Sequence, residues 1–176
     1  MHAYLQRAST AIHDAVDGMS DTQMLLHPED KWCAAEIVEH LSLAYAGSAK
    51  LMSRCLSEGK PLATGQSLKQ KVGTLLVSTF LFIPEGRKAP AHILPKGVDA
   101  RTAVTQIFAN LKQLDEVLLQ CESTFGSNIK IADNPVLGAL RADDWRKFHL
   151  AHTLHHLKQI ERIKQTGVGE GMAVKV

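Results

Sequence analysis

Residues 31–57 read KWCAAEIVEHLSLAYAGSAKLMSRCLS, and apolar residues recur in this stretch every three or four positions. Ile37, Leu41 and Leu51 belong to this series. Such spacing places the side chains along one face of an α-helix. The stretch therefore predicts a long amphipathic helix that ends before Gly59, a typical helix-terminating residue.

Three other stretches have the same periodicity, and they cover about residues 2–19, 99–123 and 143–164. The second and third long helices are separated by residues 59–98, which contain four prolines and a shorter helical pattern at 68–82. The signal for strands is poor, because apolar and polar residues never alternate for long. Four long helices with one long crossover predict an all-α four-helix bundle.

The length of 176 residues fits one domain, which we place at residues 1–166, followed by a flexible tail at 167–176. Twenty Lys and Arg residues against 18 Asp and Glu residues give a net charge of +2 without a basic tract, so we expect no nucleic-acid partner. The longest apolar run, at 72–83, is too short for a membrane span. Three cysteines without CxxC spacing and no secretory signal predict a cytoplasmic protein.

The apolar run from Leu75 to Ile83 has a second interpretation. An exposed apolar patch on one helix is a typical contact surface between two copies of a chain. We therefore expect that this run either forms a homodimer interface or covers one end of the bundle.

Histidines are concentrated in the last predicted helix, where four of the nine lie between His149 and His156. On a helical wheel, His149, His152 and His156 share the face that carries Ile160, so these imidazoles are expected inside the bundle. His152 and His156 are four residues apart, and their rings can therefore reach one point beside the helix. This pair predicts part of a metal site.

The strongest candidate for a third ligand is His40, which lies on the apolar face of the second long helix. Three neutral imidazoles leave a coordination position open, which is typical of catalytic metal sites. Imidazole suits zinc, nickel, copper or iron. The alternative is a set of core histidines that are hydrogen-bonded and hold no metal.

Three further residues are candidates for lining the pocket or orienting a ligand. His149 lies one turn before the histidine pair, and the alternative for it is an ordinary core or surface role. Gln159 lies three residues after the pair, and the alternative for it is a solvated side chain. Glu36 lies one turn before His40 and could orient that ligand or act as a base. The alternative for Glu36 is a capping role, because Cys33 and Glu36 have the spacing of a capping box with cysteine in the Ser or Thr position.

Three segments together resemble the DinB-like superfamily, and within it the DUF1569-type branch: KWCAAEIVEHL (31–41), NPVLGALRADDW (134–145) and HLAHTLHHLKQI (149–160). The resemblance implies a four-helix bundle that binds a divalent metal, commonly zinc or nickel. One histidine of the second helix and two of the fourth would hold this metal. Matching the motifs residue by residue assigns these roles to His40, His152 and His156.

Some members of that superfamily transfer a low-molecular-weight thiol such as bacillithiol, mycothiol or glutathione, and one group isomerises maleylpyruvate. The resemblance thus implies a metal-dependent S-transferase that acts on small electrophilic molecules. The alternatives are a metal-dependent hydrolase and a non-catalytic bundle that binds a ligand or partner. Two positions depart from the pattern: Cys33 replaces the usual Ser or Thr, and Asn134 stands where many relatives have His before Pro.

Overall fold

The structure, a computed structural model, describes residues 1–28, 31–81 and 89–170. This part of the chain is mainly helical and contains one two-stranded antiparallel sheet. In chain order the elements are α1 (Ala3–Val16), α2 (Asp21–Met24), α3 (Ala34–Ser57), α4 (Leu68–Phe80), a 3₁₀ turn (Ala91–Ile93), α5 (Ala100–Phe125), β1 (Lys130–Asn134), β2 (Gly138–Arg141) and α6 (Ala142–Glu170). None of the described helices combines the length and the apolar character that crossing a bilayer requires.

Several helices begin at side chains that cap them. The Asp99 carboxylate accepts a hydrogen bond from the Thr102 backbone N–H, as the sequence predicts for the start of α5. Ser67 and Ser20 begin α4 and α2, and each is paired with a glutamine three residues later in a capping box. The sequence analysis missed α2, although its capping pattern is a recognisable signal.

The helices α3 and α5 pack along each other and run in the same direction. Asn110 Nδ2 donates to Ser42 Oγ at 2.9 Å, and further along both helices the Cys121 thiol donates to the Met52 carbonyl oxygen at 3.6 Å. Because the paired positions increase together, the helices are parallel. The long crossover between them predicts this arrangement, since a short loop would force neighbouring helices to be antiparallel.

The helix α6 runs parallel to α1. The Lys147 ammonium lies 5.5 Å from the centroid of the Tyr4 ring, and Lys164 Nζ donates to the Asp14 carbonyl oxygen at 3.5 Å. Again the paired positions increase together.

Against α3, however, α6 runs in the opposite direction. The Tyr45 hydroxyl is hydrogen-bonded to the Thr153 hydroxyl, and the Ser48 hydroxyl lies 3.0 Å from His149 Nε2. From the first pair to the second, the residue number increases along α3 and decreases along α6, so the two helices are antiparallel. The first turns of α3, which carry His40, therefore lie opposite the part of α6 that carries His149, His152 and His156.

The hydrophobic core lies between these long helices and accounts for their packing. Each fully buried Leu or Ile side chain contributes about 1.5–3 kcal/mol relative to its exposed state. The core includes Leu5, Ile12, Ile37, Leu41, Ile107, Leu111, Leu114, Leu118 and Ile160.

The two-stranded sheet corrects the all-α prediction. The strands β1 and β2 pair antiparallel with Asn134 opposite Gly138. Their sequences, KIADN and GALR, contain a single β-branched residue and no sustained alternation, so propensity gives no strand signal. The Asn134 side chain instead fixes the turn, because its carbonyl oxygen accepts from the backbone N–H groups of Val136 and Leu137.

This hairpin holds the first end of the crossover. Leu62 N donates to the Ile131 carbonyl oxygen at 2.7 Å, and Ala139 N donates to the Gly65 carbonyl oxygen at 3.0 Å. Gly138 sits at this contact with φ +69°, and a Cβ there would lie 2.9 Å from Gly65 O. Only glycine fits both the backbone conformation and the close approach.

The predicted end of the last helix differs from the structure. The helix α6 continues past Gly167 to Glu170, although the sequence predicts its end at that glycine. Residues 171–176 of the predicted tail lie outside the described residues. The short crossover helix ends at Phe80, close to its predicted end.

The structure describes only part of the apolar run from Leu75 to Ile83, which the sequence predicts as a homodimer interface or a cover for one end of the bundle. Leu75 and Leu76 of α4 are exposed, as are Leu68, Val72 and Phe80 on the same helix. Ile83 lies outside the described residues. Self-association through this face stays a prediction.

The last residues of the crossover are attached to α3 by a buried carboxylate. Glu39 is only 3% exposed, and its two oxygens accept hydrogen bonds from the backbone N–H groups of Lys96, Gly97 and Val98 at 3.0, 3.0 and 3.2 Å. A carboxylate that accepts several backbone hydrogen bonds is well satisfied without a cationic partner. Glu39 thereby sets the position of the 3₁₀ turn that precedes these residues.

We expect Glu39→Ala to lower the free energy of unfolding by about 1–3 kcal/mol, because three backbone N–H groups of the crossover would lose their acceptor. Urea denaturation measures this change. The control is Glu116→Ala on the exposed surface of α5, for which we expect a change below about 0.5 kcal/mol. Equal effects of the two substitutions would contradict the proposed attachment.

Candidate metal centre

Three imidazoles from α3 and α6 come together in the interior. His40 Nε2 lies 3.3 Å from His152 Nε2. The ring of His156 completes the group, with its centroid 4.7 Å from the centroids of both His40 and His152. One ligand nitrogen from each ring lies within 4.8 Å of the others, so the group could hold a metal ion.

Helix geometry explains why these rings meet. The spacing of four residues places His152 and His156 on one face of α6, one turn apart. The antiparallel contact between α3 and α6 brings His40 opposite this pair. The prediction that these three residues converge thus agrees with their placement in the structure.

The partners of two rings determine which nitrogen carries the proton. His40 Nδ1 lies 2.8 Å from the Ile93 carbonyl oxygen, and His156 Nδ1 lies 3.2 Å from Gln159 Oε1. Both partners are acceptors, so each Nδ1 donates its N–H. Each neutral ring then has an unprotonated Nε2, which is the form and orientation that binds a metal.

The distance between the two Nε2 atoms also fits a metal. Two nitrogens bound to one tetrahedral zinc at about 2.0–2.1 Å are separated by about 3.3–3.4 Å. The observed 3.3 Å between His40 and His152 agrees with this value. The donor set and its spacing therefore fit a divalent metal.

Burial keeps these rings neutral. The pKa of His152 is well below its ordinary value of 6.5, first because of burial and then because of the neighbouring His156 and His40. Burial, followed by the proximity of His40, lowers the pKa of His156 to about 4. The pKa of His40 is also lowered by burial, and its bond to Ile93 opposes that shift. Neutral imidazole is the metal-binding form, so the site is prepared for a cation at neutral pH.

His149 lies deeper in the interior than His40, His152 and His156, which we call the histidine triad. It is fully buried, its Nε2 lies 3.0 Å from Ser48 Oγ, and its ring packs against Tyr45 and Trp145. Burial lowers its pKa to about 3. His149 also lines the cavity beside the triad, as predicted, but it is not part of the converging group.

Glu36 does not face the triad. One of its oxygens accepts from the Cys33 backbone N–H at 2.9 Å, completing a capping box at the start of α3, and the same oxygen lies 3.0 Å from His27 Nε2. The capping alternative therefore describes its position. Gln159, by contrast, contacts His156 directly, and its orienting role stays a prediction.

The structure adds two residues that the sequence analysis did not assign to the site. The Trp32 ring packs against the triad, with its centroid 5.0 Å from that of His40 and 6.5 Å from that of His156. Ile93 contributes only its backbone carbonyl. Any residue type supplies a backbone carbonyl, so the sequence cannot indicate the role of Ile93. Trp32 could have been found from its position in the motif KWCAAEIVEHL (31–41).

A cavity of about 1470 Å³ opens beside the three histidines. Apolar side chains from α4 and the hairpin form part of its wall, including Val72, Leu76 and Leu137. Two lysines, Lys50 and Lys69, also line it. The triad is therefore accessible to a small molecule, although its rings are largely buried.

We expect the metal-free protein to lose stability as the pH falls below about 6.5. An unfolded His149 binds a proton near this pH, while the folded residue remains neutral down to about pH 3. The unfolded state then holds more protons, so the free energy of unfolding decreases with decreasing pH, by several kcal/mol in total. His149→Gln should reduce the slope between pH 6.5 and 4 in urea titrations. An unchanged slope would contradict this assignment.

Comparison with known proteins identifies the family. The sequence profile described as "Protein of unknown function (DUF1569)" matches residues 5–163, which is most of the chain. No curated protein and no solved structure gives a significant match. The matched region includes α3, the hairpin and the triad-bearing turns of α6. The chain therefore belongs to the DUF1569 family.

Proposed function

We propose that this protein is a divalent-metal-dependent enzyme, and that it transfers a low-molecular-weight thiol to a small electrophilic molecule. The observation that carries the proposal is the convergence of His40, His152 and His156 beside a large cavity. Three protein ligands leave at least one coordination position open. The proposed metal is zinc or nickel, because both accept imidazole ligands.

We also propose that the chain has the four-helix bundle of the DinB-like superfamily. The parallel pairs α3 with α5 and α1 with α6, together with the antiparallel contact of α3 with α6, support this arrangement. Metal sites in such bundles are made by inward side chains of facing helices.

A bound divalent metal would lower the pKa of a thiol or water in the open position and so supply a nucleophile at neutral pH. The protein's part is to orient the ligands. The Ile93 carbonyl and Gln159 Oε1 hold the rings of His40 and His156, as acceptors behind metal-binding imidazoles commonly do. The Trp32 ring covers one side of His40 and excludes water there.

The cavity suits a small amphipathic substrate. Val72, Leu76 and Leu137 offer apolar surface for a carbon skeleton. Lys50 and Lys69 offer positive charge for an anionic group. Cellular thiols such as glutathione carry carboxylates, so these lysines favour a thiol of this kind.

In the proposed reaction the thiolate sulfur attacks the electrophilic carbon of the substrate. A carbon–sulfur bond forms, the leaving group departs with the electron pair of the broken bond, and the thiol proton passes to solvent. A hydrolase would use the same position for water. The apolar walls and the two lysines favour the thiol.

Metal binding is the first test. After reconstitution with Zn²⁺ or Ni²⁺, we expect about one metal per chain at the triad and a higher melting temperature, because the metal binds only the folded state. Gln159→Leu should weaken binding by roughly 10- to 100-fold, and His152→Ala by more than that. His13→Ala, which removes an exposed histidine of α1 outside the triad, is the control. Equal metal affinity in all variants would refute the triad and favour a non-catalytic bundle.

Activity is the second test. We expect the metal-loaded protein to join glutathione, bacillithiol or mycothiol to an aryl halide, with mass spectrometry detecting the thioether. His156→Ala should reduce the rate to near the uncatalysed level, while His13→Ala, at an exposed position of α1, should retain it. If no thiol adduct forms and esters or amides are cleaved instead, the protein is the alternative metal-dependent hydrolase.

A further inference from the structure

A second group of potential metal ligands lies at the start of α3, outside the triad. It consists of His27, Cys33 and Glu36, and one ligand atom of each lies within 4.8 Å of the others. The group is next to Trp32 in the chain, and the Trp32 ring packs on the triad. The function proposed above makes no use of these three side chains.

Each ring nitrogen of His27 lies beside an acceptor oxygen. Its Nδ1 lies 3.1 Å from the Leu25 carbonyl oxygen, and its Nε2 lies 3.0 Å from Glu36 Oε2. Both neighbours are acceptors, whereas a neutral imidazole has only one N–H. With the proton on Nδ1, the lone pair of Nε2 faces a carboxylate oxygen. This contact is favourable only if a second proton lies between the two atoms, which are 3.0 Å apart, or if both atoms bind one metal ion beside them.

Cys33 supports a metal over a second proton. It occupies the N-cap of α3, where Ser, Thr, Asp and Asn are preferred because their oxygens are strong acceptors. A thiol sulfur is a weak acceptor, so capping alone does not explain a cysteine here. Its side chain is buried beside Glu36, while His27 is 58% exposed and leaves the cluster open to solvent ions.

The ligand types indicate which metal would bind. A thiolate, an imidazole and a carboxylate together form a typical zinc set, with room for a water as fourth ligand. Binding would release the thiol proton to solvent. A cation bound by these residues would also attach the turn containing His27 to the first turn of α3, on both sides of Trp32.

We propose that His27, Cys33 and Glu36 form a second site for a zinc-like divalent cation, which fixes Trp32 over the histidine triad. The two sites share no ligand. Metal binding at the second site can therefore be tested independently of the proposed enzyme activity.

The test uses Co²⁺ as the probe, added to the reduced full-length protein. Cobalt bound by a thiolate gives a sulfur-to-metal charge-transfer band in the near ultraviolet, and cobalt bound only by imidazoles does not. We expect the wild-type protein to show this band with saturation near one thiolate-bound Co²⁺ per chain. Absence of the band would overturn the proposal.

Two cysteine variants identify the thiolate. Cys33→Ser should abolish the band without unfolding α3, because serine is a preferred N-cap. Cys55→Ser, in the same helix and also buried, should retain it. Retention of the band in Cys33→Ser, or its loss in Cys55→Ser alone, would refute the assignment.

Further variants separate the two sites. His27→Ala removes an exposed ligand and should weaken the thiolate-bound Co²⁺ at least about 10-fold. His152→Ala should leave the charge-transfer band unchanged while removing the metal of the triad. Loss of the band in His152→Ala would show that Cys33 acts through the triad and would refute a separate site.

Discussion

The hydrogen bond from His40 Nδ1 to the Ile93 carbonyl oxygen connects the long helix α3 to the crossover that leaves it. It fixes the tautomer of the ring and thereby directs the Nε2 lone pair towards α6. The buried Glu39 carboxylate, one residue earlier, holds the backbone of residues 96–98 and so keeps the 3₁₀ turn with Ile93 in place. Neighbouring residues on α3 thus fix the ring and the segment that orients it.

The interior between α3 and α6 contains several polar side chains. Besides the triad it contains the Tyr45–Thr153 hydroxyl pair and the contact between His149 and Ser48. Burying polar groups costs free energy unless they find partners, so each of these contacts offsets part of a desolvation penalty. Burial also raises the pKa of Tyr45 and lowers those of the histidines, which leaves this region without net charge at neutral pH.

The sequence predicts most of the helical structure because the signals are local. Apolar residues at helical spacing locate the long helices, and the Asp99 cap marks the start of α5 to the residue. The hairpin was missed because KIADN and GALR contain only one β-branched residue, Ile131. Their pairing depends on tertiary contacts, such as those of Leu62 and Ala139 with distant carbonyl groups.

The candidate site was predictable to a similar degree. His40, His152 and His156 are identifiable because ring spacing on a helix is fixed by geometry. The role of Ile93 is not identifiable, because a backbone carbonyl has no sequence signature. Trp32 stands at a recognisable position before α3, but the packing of its ring on His40 depends on the turn that precedes this helix. Glu36 was ambiguous for a physical reason: one turn from His40 it could point to the site or back to its own helix start. The structure shows the second orientation.

The contact between His40 and His152 joins positions 112 residues apart. Neither helix alone, nor any fragment that lacks one of them, can form it. A spectroscopic signal from these two rings therefore reports on the completely assembled chain, whereas circular dichroism also counts helices that form in isolation. Contact between the two imidazoles therefore reports the native topology, and it distinguishes a partly collapsed helical intermediate from the native state.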